Sequence, residues 1–212
     1  LGKQAKADEV AVTALIGALK DSEIRVRATA AWALGKIQHP VEKVVPALIE
    51  ALNDGDWTVR YNASICLTWL GQPAIPALER AIKDPRIFVR LYGADTLFRT
   101  DPSKVELVTP IAIGLLGNEQ EGVRAMAAQT IGLIGEPAAA AVPELIRLLQ
   151  DKTQAVQMNA VAALGAMGRS AGVAIPQLAK LLSADIKAAL RVAAADTLSR
   201  IGESPELWVS AV

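Results

Sequence analysis

The chain has 212 residues, 52% hydrophobic and 4% aromatic, with 22 basic and 22 acidic side chains. Zero net charge, balanced in each half, speaks against a nucleic-acid binder, which needs a basic surplus to neutralise phosphates. No apolar run approaches the ~18 residues of a membrane span and no secretory pattern is visible. The single cysteine, Cys66, can close no internal disulfide, which fits a reducing, cytoplasmic setting.

In chain order the sequence writes one phrase six times. A Val-Arg pair, followed by small residues and a leucine, stands at Val26-Arg27, Val59-Arg60, Val89-Arg90 and Val123-Arg124, and in altered form at Val156-Gln157 and Leu190-Arg191. Five residues ahead of each pair comes Asp21, Asp54, Asp84, Asn118, Asp151 or Asp185. Prolines recur upstream at Pro46, Pro76, Pro110, Pro143 and Pro176. Three marks kept in register define a repeat protein.

Each unit reads as two helices. The first carries leucines at helical spacing, as in Leu48/Leu52, Leu145/Leu149 and Leu178/Leu182. Its proline belongs in the opening turn, where a missing N–H costs nothing. The second carries an apolar stripe, Val26, Ala30, Leu34 and Ile37 in the first unit. The aspartate falls in the turn between them, placed to cap the second helix and meet its dipole. No long stretch alternates with period two, so no strands are expected. The predicted fold is all-α: a right-handed α-solenoid of about six helix pairs. It forms a single domain over 1–212, with repeats at 12–39, 44–71, 74–101, 107–135, 140–168 and 174–202. Leu1-Gly2 reads as the tail of an earlier repeat, and Ser204 with Pro205 as the start of a further helix. A fragment of a longer array is therefore expected.

Segments such as "VRATAAWALGKI" and "EGVRAMAAQTIGLIG" resemble HEAT repeats, specifically the phycobilisome-lyase HEAT-like class, over residues 12–202. The resemblance implies a hydrogen-bonded ladder between successive repeats, formed by the aspartate and the arginine six residues later. Its rungs would be Asp21/Arg27, Asp54/Arg60, Asp84/Arg90 and Asp185/Arg191, weakened at Asn118/Arg124 and Asp151/Gln157, where one partner is changed. It also implies a concave face lined by second helices, used in most of the family to bind proteins and in a minority for pigment attachment or hydroxylation.

Catalytic motifs fail on context. "GRSAG", Gly168–Gly172, matches the nucleophile elbow of hydrolases, yet it aligns with a linker between repeats. The lone histidine, His39, has no second histidine or spare cysteine with which to hold a metal, and reads as a solvated linker residue. The iron-binding His-Glu pairs of HEAT-repeat hydroxylases are missing from the sequence. No catalytic, metal or cofactor site is predicted. Cys66 aligns with small residues and reads as a buried packing thiol. The repeated arginines each have a carboxylate or amide upstream and read as structural rather than phosphate-binding.

The aromatics carry the functional signal. Seven of the eight fall between Trp32 and Phe98. With the second helices in register, positions spaced i, i+4, i+7 and i+11 share a face. In the first three units that face offers Trp32, Trp69, Phe88 and Tyr92, with Arg25, Asn62, Asp95 and Arg99 around them. Trp57 and Phe98 read as gap fillers between helices. Large aromatics inside a polar rim mark docking surfaces. The expected function is a non-enzymatic scaffold holding a partner's peptide or helix on its concave face. The alternative is a bilin (tetrapyrrole) lyase-like subunit or pigment-protein chaperone, with Asp95 as its acid–base group.

Overall fold

The computed structural model describes the backbone of residues 2–183 and 186–202, with side chains from Glu9 onward. The described residues form twelve α-helices and no strand: α1 (Gly2–Ala18), α2 (Ile24–Ile37), α3 (Val41–Ala51), α4 (Trp57–Leu70), α5 (Ile75–Ala81), α6 (Ile87–Thr100), α7 (Val105–Leu115), α8 (Glu121–Ile134), α9 (Val142–Leu148), α10 (Gln154–Ala166), α11 (Ile175–Ser183) and α12 (Ala188–Ile201). This is the α-solenoid of helix pairs that the repeat predicts. The chain divides into two compact units, Leu1–Lys104 and Val105–Val212. Each unit holds three pairs.

Within the first unit the second helices α2, α4 and α6 lie side by side, with α1, α3 and α5 packed behind them. In the second unit α8, α10 and α12 do the same. The core is built of Leu34, Leu48, Leu52, Leu67, Leu78 and Leu97 in one unit and Leu116, Ile131, Leu145, Leu148, Leu149 and Leu164 in the other, all essentially inaccessible. Burying each contributes about 2 kcal/mol. Of the pair Leu178/Leu182, Leu178 is buried but Leu182 is 43% exposed, and Leu181 turns inward instead. The Val-Arg valines are 0% exposed at Val59, Val89, Val123 and Val156, but Val26 is 40% exposed. Within the first unit α4 and α6 each pack against the second helix before them, whereas α2 has no second helix before it among the described residues.

The recurrent aspartate does a different job from capping the helix interior. Its Oδ1 accepts from the N–H two residues on: Asp21 from Glu23 (2.8 Å), Asp54 from Asp56 (2.8 Å), Asp84 from Arg86 (2.9 Å), Asn118 from Gln120 (3.0 Å) and Asp151 from Thr153 (2.9 Å). The acceptor thus folds the turn and presents the N-cap residue. Asp185, and the helix start proposed at Ser204 and Pro205, lie outside the described residues. Gly2 belongs to the continuous helix α1 rather than to a separate element. Pro76 and Pro143 occupy opening turns, but Pro46 and Pro110 sit inside α3 and α7, which begin earlier, at Val41 and Val105.

Candidate docking surface

A helix turns about 100° per residue, so residues four apart drift by about 40° and form one slanting ridge. On α4 that ridge is Trp57, Tyr61, Ile65 and Trp69. It lies opposite the buried arc of Val59, Ala63, Cys66 and Leu67. Trp57 is 62% exposed, Tyr61 51% and Trp69 42%, with Ile65 half-buried. Trp57 and Tyr61 touch at 6.2 Å between ring centroids.

Trp32 of α2 meets Trp69 edge-on, with centroids 4.6 Å apart and planes at 68°. The Lys36 ammonium lies 5.3 Å from the Trp32 ring and 4.8 Å from the Trp69 ring. Such contacts hold a cation where it still faces water. Neither α2 nor α4 carries an Asp or Glu. Arg25 and Lys36 are both exposed on α2.

Other predicted docking residues turn inward. Asn62 donates its amide to the Ala28 carbonyl (2.9 Å), as Asn159 does to Ala125 (3.0 Å), so this column ties adjacent second helices together. Tyr92 is 8% exposed and Asp95 4%. Asp95 accepts from Arg99 Nε at 2.7 Å. The Arg60 guanidinium covers half-buried Phe88 at 4.2 Å and reaches Tyr92 at 5.5 Å. What remains on the surface is Arg25, Trp32, Trp69 and Arg99. Trp57, expected as a gap filler, joins them, and so do Tyr61 and Lys36, which the register of second helices does not single out. The signal was available in the unbroken i, i+4, i+8, i+12 run from Trp57 to Trp69.

The arginine ladder has two kinds of rung. Within a repeat the arginine Nη1 donates to backbone: Arg27 to the Asp21 and Ser22 carbonyls, Arg60 to Asp54 and Gly55, Arg90 to Asp84 and Pro85, Arg124 to Asn118 and Glu119. Between repeats Nε and Nη2 grip the next aspartate, Arg27 on Asp54 and Arg124 on Asp151, each at 2.7 and 3.0 Å. Asn118 therefore leaves its rung intact, because the acceptor there is its backbone carbonyl. Gln157 keeps one bond, to the Asp151 carbonyl at 2.9 Å, and Arg191 reaches the Ile186 carbonyl at 3.1 Å. Arg60 does not make the corresponding grip on Asp84. Arg86 occupies Asp84 with two bonds of 2.9 Å and also grips Glu50. Arg60 Nε is left without a partner.

Cys66 is 0% exposed, and burial pushes its thiol up to about 11. That makes it a packing group rather than a nucleophile. His39 is exposed. "GRSAG" lies on a short 3-10 turn, Gly168–Ala174, where Ser170 donates to Glu136 at 3.3 Å; no strand precedes it. Among the described residues no cluster of metal-ligating side chains occurs. No described helix is long and apolar enough to cross a membrane. A concavity of about 590 Å³ opens on the first-helix side, floored by Ile16, Leu19, Pro46 and Ala47 between α1 and α3.

The family model for HEAT repeats matches residues 11–97 and 108–199. No curated protein matches the chain significantly. Among solved structures, an engineered protein of the Northeast Structural Genomics Consortium is 20% identical with TM-score 0.58, over 90% of this chain and 96% of its own. The complex of CpcE and CpcF of phycocyanin lyase from Nostoc sp. is 22% identical with TM-score 0.56, over 72% and 96%. A designed armadillo repeat protein in complex with the peptide (KR)4 is 18% identical with TM-score 0.61, over 88% and 98%. At these identities the likeness is one of fold.

Proposed function

Since the chain belongs to the HEAT-repeat family, we propose that it is a scaffold that docks a partner protein on the exposed side of α2 and α4. The observation that carries the reading is the Trp32–Trp69 pair. Two indoles from adjacent helices lie 4.6 Å apart at a third or more exposure, with a lysine over both. Folded monomers avoid leaving such area to water without a use, and tryptophans dominate binding hot spots. The designed armadillo and the CpcE/CpcF neighbours are both solved as complexes with a peptide or protein, which supports the same reading.

Truncating Trp69 to alanine is expected to cost about 2 kcal/mol of binding, roughly thirtyfold in affinity. The test is recovery of partners from the source lysate on immobilised wild-type protein and on the Trp32→Ala/Trp69→Ala double variant, with helicity matched by circular dichroism. Specific partners should disappear from the double variant. If they stay at wild-type level, the face is not the docking surface. A pigment-handling reading draws on the phycocyanin lyase neighbour, but its acid–base candidate Asp95 is buried against Arg99. A linear tetrapyrrole added in the same assay tests it directly: a shifted visible band with tryptophan quenching would favour that ligand.

A further inference from the structure

We infer that the docked segment is an amphipathic helix whose apolar stripe is flanked by carboxylates, with one carboxylate at the Lys36 end. This rests on the docking face proposed above and names what it recognises.

The ridge supplies the first argument. Trp57, Tyr61, Ile65 and Trp69 are each four residues apart and span about 18 Å along α4. An i±4n ridge seats in the groove of a second helix crossing at about −50°. The surface is indole, phenol and alkyl, and the Asn62 amide at its edge is already tied to Ala28. An extended peptide would bring backbone N–H and C=O groups that such a surface leaves unpaired. A helix satisfies its own backbone and brings only side chains.

Charge supplies the second. With no acid on α2 or α4, the cations Arg25 and Lys36 face outward, and neither has a carboxylate partner among the described residues. The acids nearest in sequence, Glu23 and Asp56, are the N-cap residues of these two helices. Lys36 and Trp69 lie at the opposite, C-terminal ends. Neither helix thus brings an acid to the place where the tryptophans meet, and the lysine ammonium is held on their rings with N–H groups left to donate. A carboxylate completes that arrangement, whereas a basic segment meets like charge. A second copy of the chain would bring Lys36 and Arg25 against themselves. The sign is opposite to that of the (KR)4 peptide held by the designed armadillo neighbour.

The probe is a set of three synthetic helices of ~18 residues, with one leucine stripe flanked by Glu, by Gln or by Lys. Binding is read by tryptophan emission at low and high salt. The Glu peptide should bind, with the Gln peptide about tenfold weaker and the Lys peptide not saturable. Lys36→Met should weaken the Glu peptide about tenfold and leave the Gln peptide unchanged. Equal affinity for the Glu and Gln peptides, lost in Trp69→Ala, overturns the acidic partner while leaving the docking face standing. Failure of all three to bind overturns the helix inference, and the lysate experiment then decides the docking reading separately. A wild-type dimer in sedimentation that becomes monomeric in Trp69→Ala overturns it in favour of a second copy.

Discussion

Gly35→Ala is expected to destabilise the first unit by about 3 kcal/mol, read as a lower urea midpoint. A Cβ added at Gly35 overlaps the Sγ and Cβ of Cys66 on the neighbouring second helix. Cys66 is completely buried and has nowhere to move. A similar close approach recurs at Gly132 and Gly165, where an added Cβ would lie 3.2 Å from the Ala163 Cα and 3.0 Å from the Thr197 Oγ1. Helix propensity alone would favour alanine by about 1 kcal/mol, so the sign of the effect is diagnostic. Gly114, exposed on α7 with nothing near its Cβ position, supplies the control. Gly114→Ala should stabilise by up to about 1 kcal/mol. Adding Cys66→Gly to Gly35→Ala should recover stability, whereas Cys66→Ala, which keeps the clashing Cβ, should recover less. A Gly35→Ala protein that unfolds at the wild-type midpoint would show that the two helices do not approach this closely.

The contact also reaches the proposed docking face. Cys66 Sγ donates to the Trp32 carbonyl at 3.8 Å, one residue column away from the indoles. Forcing α2 from α4 separates Trp32 from Trp69 and removes the pair of rings on which Lys36 rests. Gly35→Ala molecules that remain folded should therefore bind the partner more weakly than wild type. The glycine links packing of the repeat to the shape of its surface.

The repeat made most of the fold legible. Leu48/Leu52 and Leu145/Leu149 announce buried first helices, and the small column containing Cys66 announces tight packing. What the sequence hides is how a shared position behaves when its neighbours differ. Tyr92 and Asn62 occupy one column, yet the tyrosine is covered by Arg60 and the asparagine reaches a carbonyl of α2. Arg60 fails to make the rung that Arg27 makes because Arg86, which marks no repeat position, takes Asp84 first. Val26 keeps the sequence of a core residue but is 40% exposed, on a helix with no second helix before it among the described residues. The mostly small and apolar residues aligned with Trp57 suggest a filler, although its own helix places it on the ridge with Trp69. Columns report the average repeat, and the proposed docking face is built from departures from it.

Arg124→Gln should cost the second unit about 3 kcal/mol at neutral pH and progressively less in acid. Glutamine is what the chain itself carries at the equivalent position, where Gln157 keeps the bond within its repeat. The substitution therefore removes the grip on Asp151 while leaving the contact with Asn118 available. Both side chains are largely sequestered, with 14% of Arg124 and 8% of Asp151 exposed, so the abandoned carboxylate cannot recover its hydration. In the wild type the Arg124 hydrogen bond, opposed by burial, holds the Asp151 carboxyl below its ordinary value. A carboxyl depressed in the native state contributes stability above its unfolded pKa of about 4 and loses it as pH falls through the native value. The gap between wild type and Arg124→Gln should thus be widest near neutrality and close below about pH 4. Urea midpoints measured at neutral and acid pH check this. An equal gap at both would mean that the arginine stem holds the repeats together by packing and that its charge contributes nothing.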